Sequence, residues 1–121
     1  MEQLQLKSSI MGFHEYKDIW TPQTNQKLKC EMEPTNPKDK YAVAAKLEEV
    51  TVGHLPLGKT GRFAKTIFYF LKGCNENSCT ATITGSPFNL RKSKGMEVPC
   101  LLTFVGRPSY INLLKKTLID S

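Results

Sequence analysis

Apolar and polar positions along this chain follow two different periods, and the switches between them outline its elements. Leu4, Leu6, Ile10 and Phe13 alternate loosely with polar neighbours, which predicts an extended segment ending near Tyr16. Leu28, Cys30 and Met32 alternate with charged residues, the period of a half-buried strand. Tyr41 to Leu47 and Val50 to Leu55 read as two more strands, and the interval between them suits a hairpin. The period then lengthens. Phe63, Ile67, Phe70 and Leu71 fall at i, i+4, i+7 and i+8, one face of a helix that Thr60 can cap and Gly73 can end. Alternation returns over Thr80 to Thr84, with Ala81 and Ile83 on one face. The most apolar strand, Cys100 to Val105, is closed by Gly106. Pro108 or Ser109 then starts a last helix with Ile111, Leu114 and Leu118 on one face.

The intervals are equally informative. EPTNPKDK, Glu33 to Lys40, must be a turn or loop, because proline donates nothing to a strand ladder and biases the residue before it to be extended. PFNLRKSKGMEVP, Pro87 to Pro99, reads as a long basic loop. Strands therefore dominate, with one helix in the middle and one at the end. Such a chain is mainly β, a small twisted sheet or barrel with helices packed against it.

At 121 residues the chain is expected to be one domain, with a core over residues 10–106 and a C-terminal helix over 108–119. Its longest apolar runs, IFYFL and VPCLLTFV, fall well short of the ~20 residues that span a bilayer. The early Glu2 and the absence of an apolar stretch at the start argue against a secretory signal. Of the four cysteines, only Cys74 and Cys79 are close, at a spacing looser than most zinc pairs. Free thiols in a reducing compartment are expected, nuclear or cytoplasmic, with no metal and no cofactor.

Charge adds a direction. The net charge is +6, but residues 1–60 hold eight Lys/Arg against eight Asp/Glu, while residues 61–121 hold nine against three. The whole excess lies in the second half. A one-sided basic chain suits a polyanionic partner such as nucleic acid, or else simply presents a solvated surface.

One short stretch, GHLPLGKT from Gly53 to Thr60, fits the phosphate-loop pattern G-x-x-x-x-G-K-T. The mechanism needs backbone amides curled around phosphate. Pro56 removes an amide from the middle of that curl, and Leu55 and Leu57 bring apolar bulk. No acidic residue ends an apolar strand to hold magnesium, and two helices are too few for the alternating parallel fold such sites need. Nucleotide hydrolysis is not expected.

Read with its upstream neighbours, the octet belongs to a longer series. IMGFHEY at Ile10 to Tyr16 precedes EPTNPKDKYAVAAK at Glu33 to Lys46, and VGHLP follows at Val52 to Pro56. This series resembles the HIRAN domain, over roughly residues 10–106. The matching residues are Glu33, Pro34, Asn36, Pro37, Asp39, Ala42, Val43, Val52, Gly53, His54, Leu55 and Pro56. The resemblance implies a small OB-like β-barrel of about six strands with two packed helices. It also implies a non-catalytic module, commonly joined to SNF2-type translocases, that binds the 3′ end of single-stranded DNA in replication-fork repair. The expected partners are then single-stranded DNA or another nucleic acid, and a larger protein or translocase, engaged by a monomer.

A reader of 3′ ends needs aromatic rings around a base, an acceptor for the terminal hydroxyl, and basic or polar groups on the phosphates. The resemblance assigns the acceptor to Asp39 and a phosphate donor to His54. The family's DNA-binding form has Arg-Tyr on the opening strand where this chain has His14 and Glu15, and tyrosine where it has Lys38. Tyr16 and Tyr41 stand beside those positions. On a strand a neighbour normally points to the other face, so the grip on a strand end is weakened unless Tyr16 or Tyr41 compensates. The candidate nucleic-acid-binding residues are His14, Tyr16, Lys38, Asp39, Tyr41, His54 and Lys59. Plainer readings stand beside these. Asp39 after Asn-Pro is a natural turn former, and His54 can be satisfied by a backbone carbonyl. Lys59 and Arg62 oppose the dipole at a helix start, which suits either a nearby anion or a solvated position. Arg91, Lys92 and Lys94 suit a solvated loop or a backbone-contact and nuclear-localisation patch. Trp20, Phe63, Phe68, Phe70 and Phe104 suit the core. The alternative function is a protein-interaction or regulatory module that kept the barrel and lost the DNA-end site. That reading predicts an exposed apolar groove away from Asp39.

Overall fold

The computed structural model describes residues 1–89 and 95–119. Six strands and three helices follow one another along the chain. They are β1 (Glu2–Ile10), α1 (Phe13–Tyr16), β2 (Lys27–Met32), β3 (Val43–Leu47), β4 (Val50–His54), α2 (Phe63–Gly73), β5 (Ser78–Ile83), β6 (Val98–Gly106) and α3 (Pro108–Leu118). All six strands join one antiparallel sheet in the order β1-β6-β5-β2-β3-β4. The fold is mainly β, as the period-two segments predict.

Burial follows the pleat. On β6, the residues from Val98 to Gly106 alternate strictly between buried and half-buried. Val98, Cys100, Leu102 and Phe104 point inward and meet Leu28 and Cys30 of β2 and Cys79, Ala81 and Ile83 of β5. Helix α2 lies over β2 and β3, α3 lies over β1 and β6, and the helices touch each other. They lay Ile67, Phe68, Phe70, Ile111 and Leu114 on the sheet's apolar face. Trp20 is buried against Phe13, edge to face at 6.0 Å, and its indole N–H donates to Gln26 at 2.9 Å. The four cysteines form no disulfide. Cys79 and Cys100 lie deep, the Cys100 thiol being pushed up to about 12, first by burial.

No ladder joins the edge strands β1 and β4, so the sheet is not a hydrogen-bonded closed barrel. The edges nevertheless meet at one point. Met11 and His54 form an isolated antiparallel bridge, with N···O distances of 2.8 and 3.0 Å. Gly53 makes that approach possible. A Cβ there would collide with the Ile10 side chain and stand 2.8 Å from the Met11 carbonyl oxygen.

Three expectations are corrected. The opening strand stops at Ile10 rather than near Tyr16. Gly12 takes φ +82°, a left-handed turn that breaks the strand, and Phe13–Tyr16 coil into a single helical turn. The helices accordingly number three rather than two among the described residues. Thr60 does not cap α2, whose N-cap is Arg62 with no side-chain cap bond. The tract Arg91, Lys92 and Lys94 lies outside the described residues.

The Gly53–Thr60 octet is strand and connector, not a phosphate cradle. The His54 amide donates to Met11 O at 3.0 Å and the Leu55 amide to Val43 O at 3.0 Å. Pro56 has no amide, so the first half of the octet has no donors left to curl around a phosphate.

Candidate functional site

The Glu33–Tyr41 loop is a sequence of local side-chain bonds. Asn36 Oδ1 accepts from the backbone amides of Lys38 at 2.8 Å and Asp39 at 3.1 Å. Asp39 Oδ1 in turn accepts from the Tyr41 amide at 2.9 Å. These are the turns that Asn and Asp form when followed by a chain reversal, and they explain why Asn-Pro-Lys-Asp sits here. The loop is therefore fixed in shape before any ligand arrives.

A second set of bonds ties the loop to the end of β4. Asn36 Nδ2 donates to Glu33 Oε1 at 2.6 Å, and His54 Nε2 lies 2.8 Å from the same oxygen. An ionised carboxylate only accepts, so Nε2 carries the proton and donates. Burial would raise Glu33; the bonds from Asn36 and His54, with the charges of His54 and Lys46, outweigh it and hold the carboxyl below its ordinary range. His54 is thus satisfied by neither a backbone carbonyl nor an open site, but by a half-buried glutamate. The Tyr16 ring lies 6.4 Å from the His54 ring, tilted by 47°. Burial first, then the carboxylates of Glu15 and Glu33, push the Tyr16 phenol above its ordinary value.

On the other side of Asp39, Tyr41 meets helix α2. Its ring lies 5.6 Å from Phe68, edge to face, and 5.5 Å from Tyr69 at 38°. The Lys65 and Lys40 ammonium groups stand 4.6 and 5.2 Å from the Tyr41 centroid, within cation–π range. A hydrogen bond with Tyr69 first, then the Lys40 and Lys65 charges, hold the Tyr41 phenol below its ordinary value, and the same bond raises Tyr69.

The structure thus brings His54, Asp39, Tyr16 and Tyr41 into one corner, linked without a break from Tyr16 and His54 through Glu33, Asn36 and Asp39 to Tyr41. Strand alternation does not turn the two tyrosines away, because Tyr16 lies on the one-turn helix α1 and Tyr41 precedes β3. His14 sits at the edge of the corner. It is exposed, 3.8 Å from Glu15, with its ring against Gly95. Lys38 is exposed on the loop. Lys59 stands apart, lining a cleft of about 680 Å³ between the Gly58–Arg62 turn and the end of α3, with Arg62, Phe63, Thr66 and Leu118. Sequence reasoning missed Glu33 as the partner of His54, and it missed Tyr69 and Lys65. The α2 signal was read only for its buried face, although FAKTIFYF places Lys65 and Tyr69 at i and i+4 on the outer one.

Another cleft, about 700 Å³, runs along β2 and β5. Its one carboxylate, Glu31, is paired with Lys46 at 2.9 Å and Lys29 at 3.1 Å, so it offers no converging chemistry. Among the described residues no group of His, Cys, Asp and Glu could hold a metal ion.

No family model matches the chain, and no curated protein matches it. Solved structures do. A crystal structure of the HIRAN domain of human HLTF superposes with a TM-score of 0.71 at 18% identity, covering 96% of this chain and 87% of that one. An NMR structure of the same HLTF domain gives 0.66 at 19% identity, covering 96% and 86%. A crystal structure of a protein from Lactobacillus plantarum gives 0.51 at 13% identity, covering 84% and 98%. The chain has the HIRAN-domain fold, as its motif series implies.

Proposed function

We propose that this HIRAN-fold chain is a non-catalytic nucleic-acid-binding module that takes the 3′ end of a single strand at the Asp39 corner. The observation that carries the reading is the unbroken hydrogen-bonded line from His54 to Tyr41. It holds one carboxylate between two aromatic stations, Tyr16 with His54 on one side and Tyr41 on the other. Asp39 spends Oδ1 on the Tyr41 amide, and its other oxygen is free to accept a terminal hydroxyl. A 3′-phosphate would set negative charge against that carboxylate and be rejected. With Nε2 committed to Glu33, His54 can donate to a phosphate only through Nδ1, in the imidazolium form.

The test is fluorescence anisotropy at low salt with a short single strand ending in 3′-OH or in 3′-phosphate. The reading expects the hydroxyl end to bind at least tenfold tighter, and Asp39→Asn to erase most of that preference. Equal binding of both ends would reduce the site to a generic basic surface.

The protein-interaction reading is favoured by a different feature. An apolar groove of about 250 Å³ runs between α2 and α3, lined by Tyr69, Phe70, Tyr110, Leu113 and Leu114, with Leu113 61% exposed. Failure of the wild-type chain to bind either strand would move the search to proteins.

A further inference from the structure

The sequence's basic second half acquires a location in three dimensions. Of the nine Lys and Arg residues after position 60, three lie outside the described residues. The other six all belong to the helical layer. Arg62 is the N-cap of α2, which carries Lys65 and Lys72; Arg107 is the N-cap of α3, which carries Lys115 and Lys116. Neither helix holds a single Asp or Glu. Among the described residues only Arg107 of these six ion-pairs, with Glu76 at 2.6 Å. The two helices thus present a cationic face without acidic residues of their own, and Tyr69, 47% exposed, stands on it against Tyr41, the ring that Lys65 overlies.

We infer that Tyr69, with Lys65 and Lys40, is a second nucleotide station, on which the strand continues from the Asp39 corner along the outer face of α2. The inference rests on the end-binding reading above and extends it. Three features make a single strand, rather than a protein, the occupant. The two helices carry cations and no carboxylate of their own to repel a phosphate, Glu76 standing only at Arg107. The exposed ring of Tyr69 packs against Tyr41, the ring that Lys65 and Lys40 overlie at 4.6 and 5.2 Å, and among the described residues neither ammonium ion-pairs with a carboxylate, which sets base stacking beside backbone contact as single-strand grooves do. Finally, its position is set by the corner itself, because Asp39 holds the Tyr41 amide and Tyr41 holds Tyr69. Beyond Tyr69, Thr66 lines both the apolar groove and the Lys59–Arg62 cleft, so the two depressions adjoin.

The experiment measures affinity for oligothymidylates with free 3′ ends, from a dinucleotide to about eight nucleotides, for the wild type, Tyr69→Ala, Tyr69→Phe, Lys65→Gln and Asp39→Asn. The wild type should gain affinity with length. Tyr69→Ala should weaken strands of about six nucleotides on the order of tenfold, the worth of one stacked base. It should leave the dinucleotide and the preference for 3′-OH over 3′-phosphate unchanged. Tyr69→Phe should bind as the wild type, and Lys65→Gln should lower the log–log salt slope by about 0.7. Tyr69 is exposed, so its variants test contact rather than folding. Wild-type affinity of Tyr69→Ala for every length, while Asp39→Asn loses the end preference, would overturn the second station and leave the corner standing. Binding of no strand by the wild type would overturn both, and a loss in Tyr69→Ala equal at all lengths would place Tyr69 in the first station instead.

Discussion

The Asp39 corner and the α2–α3 face are built on opposite electrostatic plans. In the corner, carboxylates are committed to close partners: Glu33 to His54 and Asn36, and Asp39 to its own loop, with Glu15 3.8 Å from His14. Almost every polar group there already has a partner, and its shape is set by Asn36. The helical face is the reverse, with cations of one sign and few partners. A patch of the second kind attracts any polyanion and distinguishes none, because counterion release carries no structural information. A corner of the first kind adds little attraction but can select, since a fixed carboxylate accepts a hydroxyl and rejects a phosphate. On the proposed reading the two would divide the labour of binding, with affinity on the helices and choice at the loop.

Removing the corner's foundation should produce the largest effect. Gly53→Val forces a branched side chain into Ile10 and the Met11 carbonyl, parting β1 from β4 at the one point where they touch. Such overpacking against backbone should cost about 3 kcal/mol in denaturant unfolding and abolish 3′-end preference. The salt-dependent affinity supplied by the helices should survive under conditions where the variant is still folded. A variant that loses both together would show that the two regions are not separable.

The next effect is a pH dependence confined to the corner. Glu33 has its folded pKa lowered, so its contribution to stability is complete above the unfolded value of 4.5 and is lost as pH falls through the lower folded value. Stability should therefore decline below pH 4.5, and Glu33→Gln should flatten that part of the profile. An unchanged profile in the variant would mean that the His54–Glu33 contact carries no net free energy.

The smallest effect sharpens the other half of the comparison. Lys72→Gln and Lys116→Gln lie on the helical face, exposed and away from Asp39. If the strand passes them, each should weaken binding only a few-fold and lower the log–log salt slope by about 0.7, the single-strand value. The ratio of affinities for 3′-OH and 3′-phosphate ends should not move. A shift in that ratio would place choice as well as affinity on the helices.

Parts of this arrangement were legible from local pattern. The apolar run from Cys100 to Val105 marks β6, and the i, i+4, i+7 spacing of Phe63, Ile67 and Phe70 marks α2. The β3–β4 hairpin was legible from length alone. Its turn chemistry gave no signal, since Glu48 and Glu49 occupy φ +48° and +74° where Asn-Gly is the usual choice. The IMGFHEY segment misled because its alternation continues to Phe13, while the break depends on a left-handed Gly12 and on Phe13 packing against Trp20. Within the site, Asp39 and His54 came from motif resemblance. Their partners did not, because Glu33 and His54 are separated by 21 residues and meet only across β3.

By itself, then, the sequence determined what depends on nearest neighbours along the chain: the periods of strands and helices, the turn at Asn36 and Asp39, and the charge imbalance between halves. Tertiary structure alone decided which of these meet. It brought Tyr16 to His54, turned Tyr41 onto Tyr69 and Lys65, and gathered the basic residues of α2 and α3 into one cationic layer. The physical reason is that a side chain's partners across a sheet or between helices are set by how apolar faces pack, and that packing is a property of the whole chain.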